Sequence, residues 1–268
     1  MKILVTGKNG YIAKSFAEYV NGVGAIGDVS INADLLSLRG DDWRRISFEG
    51  YDAVLHTAGI AHKRETRHNL RDYFAINRDL SLEVAQKAKA HKVKHFVFLS
   101  TLSVYGLSTG TITADTPTKP TTYYGQSKLE AESMLASLSG SGFEVAILRV
   151  PMVYGKNCPG NYSRLCKLVK IMPIFPDYEN ARSLISIENL CEFLLDVIEN
   201  KIENKKGGLF FPMDERPVST TELALGIADE LGKDLRLTRR FNFLIDFIKR
   251  FWGGGMVAKM FGDLVVEE

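Results

Sequence analysis

Lys2-Ile3-Leu4-Val5-Thr6-Gly7-Lys8-Asn9-Gly10-Tyr11-Ile12-Ala13 is the stretch on which the fold turns. An apolar run one strand long meets two glycines, and Tyr11–Val20 then carries Ile12, Phe16, Ala17 and Val20 at helical spacing. This is strand, tight turn, helix. Glycines at the bend let the backbone turn sharply and let a pyrophosphate approach the free amides and positive dipole end of the helix. Ala13 supplies the small side chain needed where helix and strand lie close. Such a motif is weak in isolation, and its place at a strand-to-helix junction gives it weight. Gly7, Asn9, Gly10, Tyr11 and Ile12 are the candidate cofactor-binding residues of this turn.

Working outward, short β-rich runs alternate with amphipathic stretches, the pattern of a parallel sheet covered by helices. Asp34–Arg39 reads as a second strand, with Val29–Ile31 competing for the assignment. Ala53–Thr57 and Phe96–Ser100 read as central strands buried on both faces. Leu70–Ala90 reads as one long helix, and Glu144–Arg149 as a further strand. After Pro151 the rhythm changes. Prolines 151, 159, 173 and 176 break the chain around a helix at Tyr162–Ile171. Ser186 opens another helix, and Ser219-Thr220-Thr221-Glu222 is a capping box with Gly232 as terminator. The expected fold is α/β, a Rossmann-type doubly wound parallel sheet over residues 1–150. A smaller C-terminal substrate domain is expected over 151–268, with segments returning to the first.

Composition excludes several functions. Basic and acidic residues number 34 and 32, so no broad field attracts nucleic acid, and the basic cluster around Lys205 and Lys206 reads as a solvated helix end. Cys158, Cys166 and Cys191 are too few and scattered for a disulfide framework, and the odd count fits a reducing compartment. No Cys or His pair has zinc spacing, so no metal is expected. The start of the chain lacks a signal-peptide pattern, and no apolar run approaches the ~20 residues of a membrane helix. The expected location is the cytoplasm, without stable membrane insertion. The aromatic tail from Phe241 to Phe261 reads as a small-domain helix, a hinge at Gly253–Gly255 and a terminal strand. A membrane-surface helix is the alternative, since Lys249 and Arg250 flank Phe247, Phe251 and Trp252.

The candidate chemistry lies in Tyr124-Gly125-Gln126-Ser127-Lys128, where tyrosine and lysine share a helix face at i and i+4. A phenol is a poor base at neutral pH because its ordinary pKa is near 10. A nearby ammonium is expected to lower that value and fit the tyrosine for proton transfer. Leu99-Ser100-Thr101-Leu102-Ser103-Val104-Tyr105-Gly106 closes a strand with hydroxyls, where open α/β sheets bind ligands. Arg39 could pair with the 2′-phosphate of NADP, and the reading leans that way; Asp41 and Asp42 argue for the ribose of NAD.

The ordered set Thr-Gly-x-x-Gly-x-x-Ala, Ser-Thr-x-x-Val-Tyr-Gly, Tyr-x-x-x-Lys and Leu148-Arg149-x-Pro151-x-Val153-Tyr154-Gly155 resembles the extended short-chain dehydrogenase/reductases. Within them it is similar to the nucleotide-sugar epimerase/dehydratase branch, from residue 2 to about residue 230. The resemblance implies NAD or NADP as cofactor and a nucleotide-sugar substrate. It implies that Thr101 holds the sugar oxygen, Tyr124 is the acid/base and Lys128 binds ribose. It places Ala58 and Gly59 beside adenosine and Pro151 and Val153 beside nicotinamide, and adds Asn77 and Ser100 to the cofactor set. Thr101, Ser103, Asn161 and Arg182 form the implied substrate set, with Arg182 on the diphosphate. A homodimer through the helices holding Leu80 and Leu129 is implied as well.

Two departures narrow the reaction. Dehydratases of this branch resemble Ser-Thr-Asp-Glu-Val-Tyr-Gly at the strand end, whereas this chain has Leu102 and Ser103, so loss of water is not expected. No cysteine follows the serines, which excludes the branch that uses one. A 4-epimerase acting on a UDP-hexose or UDP-N-acetylhexosamine for surface-polysaccharide precursors is the leading expectation. A 4-keto-sugar reductase stands beside it. A non-catalytic NAD(P)-sensing module is the third reading, and the tyrosine and lysine speak against it.

Overall fold

The computed structural model describes residues 1–61, 64–140, 142–202, 208–240, 242–251 and 256–267, without the side chain of Met256. The Lys205–Lys206 cluster, Trp252 and the Gly253–Gly255 hinge lie outside these residues. The chain forms two compact units. The first contains Met1–Gly106, Thr118–Val150 and Ile187–Pro212, and the second Leu107–Pro117, Pro151–Ser186 and Met213–Glu268.

The first unit is built on six parallel strands: β1 Lys2–Thr6, β2 Asn32–Leu36, β3 Ala53–His56, β4 His95–Thr101, β5 Glu144–Val150 and β6 Leu209–Phe210. Their order across the sheet is β6-β5-β4-β3-β1-β2. The direction of succession reverses between β1 and β3, and in open α/β sheets ligands bind beyond the strand ends at such a reversal. The Gly7–Ala13 turn leaves β1 at that point, and Thr57-Ala58-Gly59 leaves β3.

Side-chain alternation assigns the two faces. Leu4, Val54, Phe96, Phe98, Val145 and Ile147 share a core cluster with Val84, Ala85, Ala88, Ala131 and Leu135. These last residues belong to α2 and α3. Helix α2 consists of Leu70–Phe74 and Leu80–Ala90 joined by a π-helical turn at Ala75–Asp79, and α3 is Tyr123–Ala136. Ile3, Val5, Leu55 and Val97 point to the opposite face and are equally buried. There α1, Tyr11–Val23, buries Ala13, Phe16, Ala17 and Val20. It packs against α5, Ile187–Ile198, whose buried stripe includes Leu190, Leu194 and Val197.

Two sequence expectations are corrected. The second strand is Asn32–Leu36 rather than Asp34–Arg39, because its register with β1 runs from Lys2↔Asn32 to Thr6↔Leu36. The Leu36 carbonyl then accepts the N–H groups of Gly7 and Lys8, which ends the pairing. The competing Val29–Ser30 run pairs antiparallel with Ala25–Ile26 across a tight turn. The long helix at 70–90 is interrupted by its π turn, which periodicity alone does not register.

In the second unit, Met152–Tyr154 pairs in parallel with Leu184–Ser186, Ile174–Pro176 with Arg236–Thr238, and Gly110–Ile112 with Leu264–Val266. Its helices are α4 Asn161–Ile171, α6 Thr220–Glu230, α7 Asn242–Phe251 and α8 Met256–Phe261. The Ser219 capping box of α6 is formed, with both reciprocal bonds present. Helix α7 buries Ile245, while Phe243, Phe247 and Phe251 face outward.

The docking of α3 depends on one glycine. A Cβ at Gly125 would sit 2.5 Å from the Ser103 carbonyl oxygen and 3.1 Å from the Pro120 Cβ. Gly125→Ala is expected to destabilise the protein by about 1–3 kcal/mol in urea unfolding, the usual range for overpacking. An unchanged midpoint and slope would contradict this packing.

Candidate active site

The phosphate-type turn is tightly crossed. Gly7 has φ +86, and a Cβ there would lie 2.8 Å from Thr57 Oγ1 and 3.1 Å from the Ala58 nitrogen. Only glycine suits both the left-handed backbone and the neighbouring loop. The Gly10 N–H donates to the Gly7 carbonyl at 2.6 Å, and Thr57 Oγ1 donates to the Thr6 carbonyl at 2.7 Å. Helix α1 begins at Tyr11 and Ile12 without a side-chain cap and without an acidic residue in its first turn. A helix start of that kind, at a switch point, fits the diphosphate of a dinucleotide.

Asn77 is fully buried on the π turn. Its Oδ1 accepts the Ile60 N–H at 2.7 Å, and its Nδ2 donates to the Ile60 carbonyl and to Ser127 Oγ, both at 3.1 Å. The side chain therefore ties the Ala58-Gly59-Ile60 loop to the helix that carries Tyr124 and Lys128. π turns swing a residue out of the regular helical face, frequently at functional sites. Here the residue swung inward is the clamp.

Thr101 ends β4 and caps the 3₁₀ turn Leu102–Tyr105, its Oγ1 accepting the Ser103 N–H at 3.1 Å and donating to Ser103 Oγ at 3.2 Å. Helix α3 is capped by Thr122, which accepts from the Gly125 N–H. The Glu65 carboxylate adds a second cap, accepting the N–H groups of Tyr123 and Tyr124 at 2.9 Å each. A carboxylate on those orphan donors also answers the helix dipole. Lys128, 4% exposed, donates from Nζ to the Leu99 carbonyl at 2.7 Å and lies 4.3 Å from the centroid of the Phe98 ring.

Burial sets the ionisation of this pair. It pushes the Lys128 ammonium down to about 7, with the Glu132 carboxylate opposing. Burial also raises the Tyr124 phenol above its ordinary value, against a hydrogen bond with Thr101 that lowers it, and the neighbouring Tyr73 adds to the rise. The expectation that Lys128 depresses the tyrosine is thus overturned for the protein alone. Desolvation of both groups is the larger effect.

Glu132, one turn beyond Lys128, is 5% exposed and holds Arg149 at 2.8 Å. The Ser100 hydroxyl donates to the same carboxylate, and Arg149 Nη1 donates to the Tyr105 hydroxyl at 2.7 Å. This buried network joins α3, β4 and β5 behind the pair. Sequence reasoning assigned no role to Glu65 or Glu132. The i, i+4, i+8 series Tyr124, Lys128, Glu132 was a usable signal for the second, but nothing local announces the first.

Other candidates stand apart. Arg39 lies three residues past the end of β2 and is exposed, with its N–H on Ser37 Oγ. The Asp41 carboxylate is paired with Arg44. In the second unit, Pro151 precedes the Met152–Tyr154 strand, and Val153 pairs with Ile185. Asn161 is exposed at the start of α4. Arg182 donates from Nη1 to the Gly262 carbonyl at 2.7 Å, while its buried Nε has no hydrogen-bond partner among the described residues. Among the described residues no group of three or more His, Cys, Asp or Glu side chains could hold a metal, and no helix is long and apolar enough to cross a membrane.

A six-stranded parallel sheet with a glycine turn at its switch point and Thr101, Tyr124 and Lys128 in the same unit defines a Rossmann-type dinucleotide-dependent enzyme. The chain belongs to the NAD dependent epimerase/dehydratase family, whose model matches residues 3–210. A UDP-glucose 4-epimerase of Vibrio cholerae is 30% identical over 247 residues, covering 85% of this chain and 71% of that relative. A crystal structure of a UDP-glucose 4-epimerase shares the fold with TM-score 0.72 at 20% identity, covering 89% of this chain and 84% of that one. UDP-glucuronic acid 4-epimerase from Bacillus cereus, in complex with NAD, superposes with TM-score 0.70 at 18% identity, over 100% of this chain and 90% of its own.

Lys128 is held below the ordinary lysine value of 10.5. Between about pH 7 and that value the unfolded chain binds the extra proton, so stability rises with pH across this window. The stability difference between wild type and Lys128→Met is expected to move in favour of wild type from pH 7 to 10, by at most about 1.4 kcal/mol per pH unit. A difference that does not change with pH would contradict the depressed pKa.

Proposed function

We propose that the protein is a nucleotide-sugar 4-epimerase acting on a UDP-hexose or UDP-N-acetylhexosamine, in surface-polysaccharide precursor synthesis. The observation that carries this reading is the strand-end turn beside Tyr124. Thr101 and Ser103 present hydroxyls there, Leu102 is buried, and the turn holds no carboxylate. The carboxylates at this helix are committed, Glu65 to backbone amides, Glu130 to Arg78 and Glu132 to Arg149. No carboxylate of the strand-end turn is available to drive water loss. The relatives' own reactions point the same way.

The residues present fit a nicotinamide dinucleotide. Gly7, Asn9, Gly10, Tyr11 and Ile12 would hold its diphosphate, with Ala58, Gly59, Ser100, Lys128, Pro151 and Val153 along its length, and Arg39 or Asp41 at its ribose end. When bound, it supplies a hydride acceptor and donor. Once ionised, the Tyr124 oxygen would take the proton of the C4 hydroxyl as that carbon is oxidised, and return it when the keto sugar is reduced on its other face. Thr101 holds the C4 oxygen by a hydrogen bond. Lys128 keeps positive charge close to the site, and its depressed pKa makes that charge responsive to ligands that exclude water. Asn77 acts by fixing the loop and helix between which these groups sit. Arg182, whose buried Nε has no partner among the described residues, is suited to a diphosphate oxygen, and Asn161 and Ser103 complete the substrate set.

Purified protein incubated with UDP-glucose and with UDP-N-acetylglucosamine, with substoichiometric NAD, is expected to invert C4, read by proton NMR. Tyr124→Phe is expected to lower kcat about 10²–10⁴-fold with little change in substrate affinity. No inversion of either sugar, together with NADPH oxidation in proportion to reduction of a UDP-4-keto-hexose, would replace the epimerase reading with the 4-keto reductase. Undiminished turnover in Tyr124→Phe would remove the catalytic assignment.

A further inference from the structure

Helix α7 turns its apolar face away from the protein. At 3.6 residues per turn, Phe243, Leu244, Phe247 and Phe251 fall within an arc of about 100°. They are 73%, 46%, 59% and 64% exposed, and the Phe247 and Phe251 rings lie 4.6 Å apart. A surface helix ordinarily does the reverse, burying its apolar stripe and exposing its charges. The inward side of α7 is instead fixed by polar bonds. Asp246 accepts from the Tyr178 hydroxyl at 2.6 Å, and Lys249 donates to that hydroxyl at 2.9 Å and to the Phe261 carbonyl at 3.0 Å. The outward orientation is therefore anchored.

Charge around this face is one-sided. From Arg236 to Phe261 the sequence holds six Arg or Lys residues and a single acidic residue, Asp246, although the whole chain is nearly balanced. Arg239 is paired with Asp177 and Glu179, and Asp246 with Tyr178. Among the described residues no carboxylate pairs with Arg240 or Arg250. Arg250 flanks the phenylalanine arc on α7, and Arg240 lies just ahead of the helix.

We propose that α7 is a membrane-surface helix. Phe243, Phe247 and Phe251 sink into the headgroup boundary of an anionic lipid bilayer, and Arg240 and Arg250 meet lipid phosphates. Aromatic side chains on one face with basic residues at its edge are what such binding requires. A second copy of this chain fits less well, because a two-fold contact through α7 would bring two cationic rims together. A nucleic acid would match the arginines but leave the phenyl rings without a partner. The proposal is independent of which sugar the active site takes.

The test is co-sedimentation of the full chain with vesicles of pure phosphatidylcholine, or of phosphatidylcholine mixed with phosphatidylglycerol. Wild type is expected to pellet with the phosphatidylglycerol vesicles and to be released by high salt, which screens the arginines. The double substitution Phe247→Ser/Phe251→Ser is expected to weaken partitioning by at least about tenfold through lost apolar burial. Phe247→Leu/Phe251→Leu should retain it. Both variants should keep wild-type melting and activity, since these side chains touch neither the core nor the site. Wild type left in the supernatant with both vesicle types would overturn the proposal. So would serine variants that pellet like wild type, or sedimentation velocity showing that the face joins two copies and binds no lipid.

Discussion

An ammonium buried beneath a strand end constrains the rest of the first unit. Lys128 leaves solvent to donate to one carbonyl, that of Leu99, and to lie over the Phe98 ring. A group of this kind is unfavourable in a protein interior unless its surroundings hold it and its charge has a use. The surroundings here are specific. Gly125 lets α3 approach the Ser103 carbonyl, Asn77 ties the loop after β3 to Ser127, and Glu65 and Thr122 fix the first turn of α3. Behind them the Glu132–Arg149 pair locks α3 to β4 and β5. The result is a lysine whose proton affinity is poised near neutrality beside a tyrosine whose proton is held firmly. A bound ligand that alters local charge or expels water would move both.

Topology decides where that pair can work. The reversal of strand order at β1 and β3 opens a crevice beyond their ends, and the turns that leave both strands press on each other at Gly7, Thr57 and Ala58. Strand β4, next to β3, ends in Thr101 on the same edge of the sheet. Parallel pairing therefore brings the glycine turn, the clamp loop and the hydroxyl turn to one rim. No long-range sequence signal is needed to place them there.

Much of this was legible in the sequence because its cause is local. The Gly7–Ala13 turn is written as strand, glycine and helix within twelve residues, and the Tyr124–Lys128 spacing places both on one face of α3. What escaped has long-range causes. The end of β2 is set by its register with β1 and by amides across the turn, so Arg39 falls beyond it. Glu65 reaches α3 across more than fifty residues, and the inward swing of Asn77 depends on a π turn that sequence periodicity averages away. The orientation of α7 was left open between two readings for a different reason. An amphipathic pattern shows that one side of a helix is apolar, but the choice of which side is buried is made by polar anchors such as Tyr178.

The central claim is that the site moves a hydride and a proton at one sugar carbon and breaks no carbon–hydrogen bond by base removal. Turnover of UDP-glucose in deuterium oxide, with the product examined by NMR, tests it most directly. The account predicts a C4-inverted product with no deuterium on any ring carbon, since a transferred hydride does not exchange with solvent. Deuterium at C5 or C3 would show that a carbon acid is ionised at this site, and would contradict the account.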